Sequence, residues 1–141
     1  MAVIRSDAPT VVANAQGNHN TPSVVAFQCA EQLVGEVAVQ QAVKNQQNTV
    51  MEGKRLLGKK HDDPMVKKYA KRWHFAVVNK NGKAGVTVQY NEVATAFTAE
   101  QICGLILGNL KETAEAFVHS PVKNCVLCAP IVRFPNADPD S

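Results

Sequence analysis

At 141 residues, 45% hydrophobic and 19% charged, the chain has the composition of one small globular domain, which excludes both a second sizeable core and wholesale disorder. Its formal net charge of +3 suits an anionic ligand but falls far short of a dedicated nucleic-acid binder. No apolar run is long enough to span a membrane: the longest, Ile102 to Leu107, is broken by Gly104 and closed by Gly108.

Two short apolar runs open the chain. They predict strands at Thr10–Ala13 and Ser23–Phe27, separated by the turn-rich Asn14 to Asn20 and by Pro22. "LVGEVAVQQAVKNQ" then reads as a short helix with Val37, Ala38, Ala42 and Val43 near one face. In "NTVMEGKRLLGKKHDDP", Thr49 and Glu52 have the spacing of a capping box, and Gly58 stands where a helix ends in a left-handed residue. These signals predict a helix of about two turns carrying Lys54 and Arg55, with Lys59 and Lys60 at its negative dipole end. Asp62-Asp63-Pro64 predicts a second helix start, with an aspartate cap and Pro64 at the first helical position. That helix carries Lys67, Lys68, Lys71 and Arg72 towards Trp73, which reads as a core residue.

From His74 to Phe97 the period changes to two, around "NKNG" and "YNE", as in a three-stranded meander. Thr98 and Gln101 form a second capping-box pattern. It opens a long helix with Ile102, Leu105, Ile106, Leu110, Ala114 and Phe117 on one stripe. "NCVLCAP" reads as a buried strand over Asn124–Ala129, and 131–141, Pro-rich and acidic, as a disordered tail. The fold class is α+β. Both ends look cut, since the chain begins inside a strand-like run and ends just after a strand that needs neighbours.

Several patterns carry chemistry. Lys54 and Arg55 are either a solvated charged face or cations aimed at phosphate oxygens, where lysine acts as a mobile point charge. No GxxxxGK[ST] or GxGxxG loop is present to complete a phosphate site. The segment 54–72 holds eight of the fifteen Lys and Arg residues, a basic density without the interleaved aromatics of a nucleic-acid binder. Cys125-x-x-Cys128 stands alone, without a second pair. On a strand its sulfurs would point to opposite faces, so it reads as two buried thiols rather than a metal site. His19, His61, His74 and His119 are scattered, with no metal-ligand spacing, and no residue is assigned to a metal. The N-terminus has neither the basic patch nor the apolar stretch of a secretory signal, and four free cysteines suit a cytoplasmic protein.

Taken in order, Ala13-Asn14, Gln16-Gly17-Asn18 before Thr21-Pro22-Ser23, Asn48-Thr49-Val50 before Lys54-Arg55-Leu56, and Lys111-Glu112 before Ala114-Glu115-Ala116 form a pattern. With it, the chain resembles the seventy-kilodalton heat-shock chaperone family from about Ala2 to Pro130. "NTVM", the Asp-Pro followed by Lys-Tyr, and "NGK" are similar to its ribosome-associated members. The resemblance implies an incomplete first lobe of an actin-like (ribonuclease H-like) ATPase domain over 1–130, with an outer subdomain at about 22–97. It implies ATP or ADP with magnesium as cofactor, and a chaperone role in protein folding. Lys54 matches the family's lysine that enters the nucleotide cleft and helps place the attacking water at the γ-phosphate. Arg55 matches a neighbouring basic residue of the same helix.

Departures accompany the match. The family's phosphate-gripping "DLGTT"-type loop should precede Met1 and is absent. His19-Asn20 replaces a more usual Arg-Thr pair, and "IVRFPNADPDS" does not follow the family pattern. The expectation is therefore an ATP-binding lobe without autonomous ATPase activity. The alternatives are a non-catalytic module that binds co-chaperones, the ribosome or RNA through 54–72, and a shortened product with no stable fold.

Overall fold

A computed structural model of the chain describes residues 1–5 and 8–128. Three antiparallel sheets and three helices make up the fold among these residues. Strands β1 (Ala2–Arg5) and β2 (Ala8–Val11) form an exposed two-stranded ribbon. Strands β3 (Val24–Gln28), β4 (Glu31–Val34) and β5 (Thr49–Met51) form a second sheet in the order β4-β3-β5. Strands β6 (Ala76–Lys80), β7 (Lys83–Tyr90) and β8 (Val93–Thr98) form the meander. The helices are α1 (Glu36–Gln41), α2 (Pro64–Ala70) and α3 (Ala99–Val118).

The core lies where the second sheet, the meander and α3 meet. Val25, Phe27 and Val50 point in from the second sheet, and Ala84, Val86 and Val88 from alternate positions of β7. Ala99, Ile102 and Ile106 cover them from α3. Phe27 is central: it stacks on Phe97 at 4.7 Å between ring centroids and meets Tyr90 edge-on at 5.8 Å. Two backbone N–H groups of the meander and its turn donate to residues flanking the strands of the second sheet. Gln89 N–H donates to Asn48 Oδ1 at 2.8 Å, and Asn91 N–H donates to the carbonyl of Cys29 at 2.8 Å.

Where the chain carries its own caps and turns, the elements agree with expectation. Asp63 accepts from the Met65 N–H at 2.7 Å with Pro64 at the start of α2. Thr98 and Gln101 make a reciprocal capping box at α3. Asn81 and Gly82 have φ of 56° and 84°, the left-handed pair that a two-residue hairpin demands. On α3, Ile102, Ile106 and Ala114 are buried, and Leu105 and Leu110 pack against the core. Trp73 is partly buried against the same cluster.

Four expectations need correction. The first is small: the early strand runs Ala8–Val11, two residues before Thr10–Ala13, because its register is set by pairing with β1. In the second, Leu33 and Val34 belong to β4, and α1 begins only after Gly35, whose φ is 78°. Ala38 and Ala42 face inward, but Val43 is 80% exposed and Val37 is also exposed. Positions 38 and 42 are one turn apart, whereas 37 and 43 fall off that stripe.

The third correction concerns the opening of the basic segment. Thr49 to Met51 is a strand, and Glu52 sits in the left-handed region at φ 54°, so no capping box forms. Thr49 Oγ1 instead donates to the carbonyl of Asn45 at 2.8 Å and accepts from Gln41 Nε2 at 2.9 Å. Pairing decided the outcome. Val50 lies opposite Val25 and is fully buried, which outweighs a cap contact of about 1 kcal/mol. Lys54 and Arg55 therefore stand on a single 3₁₀ turn, Gly53–Leu56, rather than on a two-turn helix. Gly58 does adopt the expected left-handed conformation, with φ 67°.

The fourth is the strand expected at Asn124–Ala129. Residues 124–128 form no strand, Val126 is 91% exposed, and both Cys125 and Cys128 are exposed rather than buried. An extended segment becomes a strand only when a neighbour takes its N–H and C=O groups, and among the described residues none lies alongside. Ala129 and the expected tail at 131–141 lie outside the described residues.

Candidate functional site

The 3₁₀ turn is built from inside out. Three residues per turn eclipse positions 53 and 56 on one side. Both are buried there, Leu56 at 1% exposure, while Lys54 and Arg55 are forced to the surface. Gly53 lies close under α3: a methyl group at its Cα would come within 3.1 Å of Ile102 Cγ2 and 3.8 Å of Val50 Cγ1. The turn is thus clamped between β5 and α3.

The two basic residues, adjacent in sequence, have different surroundings. Arg55 is occupied. Its Nε lies 3.2 Å from Glu52 Oε1, its Nη1 donates to Tyr69 Oη at 2.8 Å, and its guanidinium carbon lies 4.5 Å from the centroid of the Tyr69 ring. Tyr69 stacks on Trp73 at 5.8 Å and Trp73 on Phe75 at 5.1 Å, and Trp73 Nε1 donates to Glu52 Oε2 at 3.4 Å. Arg55 therefore caps an aromatic stack that runs into the core.

Lys54 is exposed and forms no ion pair among the described residues. Its charge is felt at Cys103 on α3. Burial pushes the Cys103 thiol above its ordinary value, and the Lys54 charge partly offsets that rise. Lys54 is thus a cation held on a rigid turn and free to meet an anion. Of these neighbours, Glu52 reads from sequence only as half of a capping box, and Tyr69 and Cys103 carry no assigned role. Glu52 stands three residues before Arg55, an ion-pairing interval that could have indicated it, whereas Tyr69 and Cys103 are brought in only by the fold.

The rest of the basic segment forms an exposed face. Lys67, Lys68, Lys71 and Arg72 are exposed and outside every ion pair among the described residues. Lys59 pairs with Asp63 at 3.5 Å and Lys83 with Glu100 at 3.5 Å. A shallow depression of about 570 Å³ lies between Lys59, Lys60, His61, Asn81 and Lys83. Lys60 and Lys83 stand opposite each other in an antiparallel bridge. Of the other histidines, His19, His74 and His119 are exposed on separate segments. Among the described residues no three His, Cys, Asp or Glu side chains gather as metal ligands.

The Asn14-to-Asn18 loop is a structural unit. Asn14 Nδ2 donates to both oxygens of Glu36 at 2.9 Å, and Asn18 Nδ2 donates to one of them at 3.2 Å. Asn14 Oδ1 accepts from the N–H groups of Gln16 and Asn18. The Asn14 amide holds the Glu36 carboxyl below its usual range.

This arrangement, one free lysine on a turn clamped by a buried glycine and leucine, can be set beside known proteins. A family model described as "Hsp70 protein" matches residues 1–134. The chain belongs to the Hsp70 family. It is 41% identical over 130 residues to a heat shock 70 kDa protein of Emericella nidulans, covering 92% of this chain and 20% of that protein. It is 42% identical over 130 residues to the putative heat shock 70 kDa protein 7 of Homo sapiens, covering 92% of this chain and 35% of that protein. Over 120 residues it is 41% identical to a ribosome-associated molecular chaperone of Saccharomyces cerevisiae, covering 85% of this chain and 20% of the relative. This Hsp70-family chain thus spans between a fifth and about a third of those relatives. Its mixed α+β architecture of three small sheets and three helices agrees with part of an actin-like lobe.

Proposed function

We propose that this chain is the ATP-binding lobe portion of an Hsp70-type chaperone engaged in protein folding in the cytoplasm, and that Lys54 is its phosphate-facing cation. The observation that carries this reading is the contrast between the neighbours: Arg55 is committed to Glu52 and Tyr69, while Lys54 is free on a clamped turn. A lysine so placed suits the γ-phosphate, since a fixed cation stabilises the charge that develops during phosphoryl transfer. Arg55 supports it, keeping Glu52 and Tyr69 in place beside the same turn. Magnesium, bound with the nucleotide, would supply the remaining charge neutralisation. One lysine does not make a complete site, so we expect binding without multiple-turnover hydrolysis by the 141 residues alone.

Thermal unfolding with and without millimolar Mg-ATP tests this. Nucleotide at a hundred times its dissociation constant adds about 2.7 kcal/mol of stability. The expected result is a cooperative transition that moves upward with Mg-ATP and much less in Lys54→Ala. A transition indifferent to nucleotide would overturn the assignment of Lys54. Sustained turnover abolished by Lys54→Ala would overturn the expected inactivity.

A second reading rests on a different observation, the exposed basic face of Lys67, Lys68, Lys71 and Arg72, which has no ion pair among the described residues. Such a face fits an anionic partner such as the ribosome or an acidic co-chaperone surface. Ribosome binding that weakens steeply with salt and with charge reversal at Lys67 and Lys68 would support it. Salt-insensitive or absent binding would remove it.

A further inference from the structure

Residues 120–128 leave the end of α3 without entering a helix or strand. Their start is pinned: His119 turns the chain at φ 54°, and Val122 N–H donates to Glu115 Oε1 at 2.9 Å. Three residues beyond that anchor comes Cys125, followed by exposed Val126 and Leu127 and then Cys128, with both thiols free and exposed. The other two cysteines lie on different elements: Cys29 in the β3–β4 turn and Cys103, half-buried, on α3.

The geometry points to a redox-responsive dithiol: we propose that Cys125 and Cys128 close into an intrachain disulfide, and that closure and strand formation exclude each other in this segment. In an extended strand, residues three apart have Cα atoms about 10 Å from each other and side chains on opposite faces. A disulfide requires Cα atoms roughly 4.4–6.8 Å apart. A four-residue turn brings its first and last Cα within about 7 Å, so the unpaired segment can close by turning while a paired strand cannot. Oxidation would thus commit 125–128 to a turn and deny the segment to any strand partner.

The oxidant is a small-molecule disulfide of the glutathione type. The thiolate of one cysteine attacks a glutathione sulfur, breaking that S–S bond and releasing one glutathione thiolate. The second cysteine thiolate then attacks the protein sulfur of the mixed disulfide and releases the other glutathione. The protein loses two electrons and two protons. Both electrons reduce the oxidant, and the protons end on the two glutathione thiols.

The test needs no mutation. Lys123 and Arg133 bound a tryptic peptide, 124–133, that holds both cysteines and neither of the other two. The 141-residue chain is equilibrated in graded glutathione redox buffers, natively and in urea, then acid-quenched, alkylated and mapped by mass spectrometry. The expected result is peptide 124–133 lighter by two hydrogens and unalkylated, appearing in the native chain at no higher oxidised-to-reduced ratio than in urea. A native chain that keeps both thiols at ratios closing the unfolded chain would overturn the proposal, because the segment would then be held extended or covered. Glutathione adducts on either cysteine, or dimers linked through them, in place of the two-hydrogen loss would overturn it as well.

Discussion

Leu56→Ala tests whether the lysine turn is held from beneath. Leu56 is among the largest fully buried side chains and shares the buried side of its turn with Gly53. Truncation removes apolar contact and leaves a cavity that the turn, clamped against α3, can only partly fill. Substitutions of this type cost about 2–5 kcal/mol, and roughly 3 kcal/mol is reasonable for a one-turn element at the edge of the core. With a urea slope of about 2 kcal/mol per molar, the unfolding midpoint should fall by about 1.5 M. Lys54→Ala is the control, since an exposed side chain with no ion pair among the described residues should change stability by less than about 0.5 kcal/mol. Equilibrium urea unfolding followed by Trp73 fluorescence and by circular dichroism reads both. A loss below about 1 kcal/mol for Leu56→Ala, or an equal loss for Lys54→Ala, would refute the claim that the turn is anchored through its buried side.

Arg55→Lys keeps the charge but loses the planar group over Tyr69, so a destabilisation of about 1 kcal/mol is expected, read by the same urea titration. No change would mean that the contact with Tyr69 adds nothing. Gly85→Ala should cost about 1–3 kcal/mol, because its methyl group would meet the backbone oxygen of Phe97 at 2.8 Å. A neutral result would show that β7 and β8 can separate freely. Acid should weaken the fold. The carboxyls of Glu36, Asp63 and Glu100 are lowered chiefly by the Asn14 amide, by the Met65 N–H and by the Glu100 N–H respectively, from ordinary values of 4.5, 3.8 and 4.5. Their stabilisation is therefore present above those values and is lost as pH falls through the lowered folded ones. The melting temperature should decline on acidification below pH 4.5 and decline less in Glu36→Gln, and a rise would contradict the assignment.

What could be read from the sequence was what neighbours along the chain decide. Asp63 and Pro64 start α2, Thr98 and Gln101 start α3, and Asn81-Gly82 turns β6 into β7, each because the groups that must meet lie within a few residues. Lys54 and Arg55 were legible as residues of interest, but their division of labour was not. Arg55 reaches Tyr69, fourteen residues away, whereas Lys54 forms no ion pair among the described residues. The clearest comparison is between two similar local signatures. Thr98 to Gln101 became a capping box, whereas Thr49 to Glu52 became a strand and a left-handed turn, because Val50 found Val25 across the sheet. At 124–128 the reverse holds: a strand-like sequence stays unpaired because among the described residues no neighbour accepts its hydrogen bonds. Caps and tight turns are closed by contacts a few residues long, and the sequence by itself determined them. Strand pairing depends on groups distant in the chain, so only the tertiary structure decided which apolar runs became strands and which of two adjacent cations stayed free.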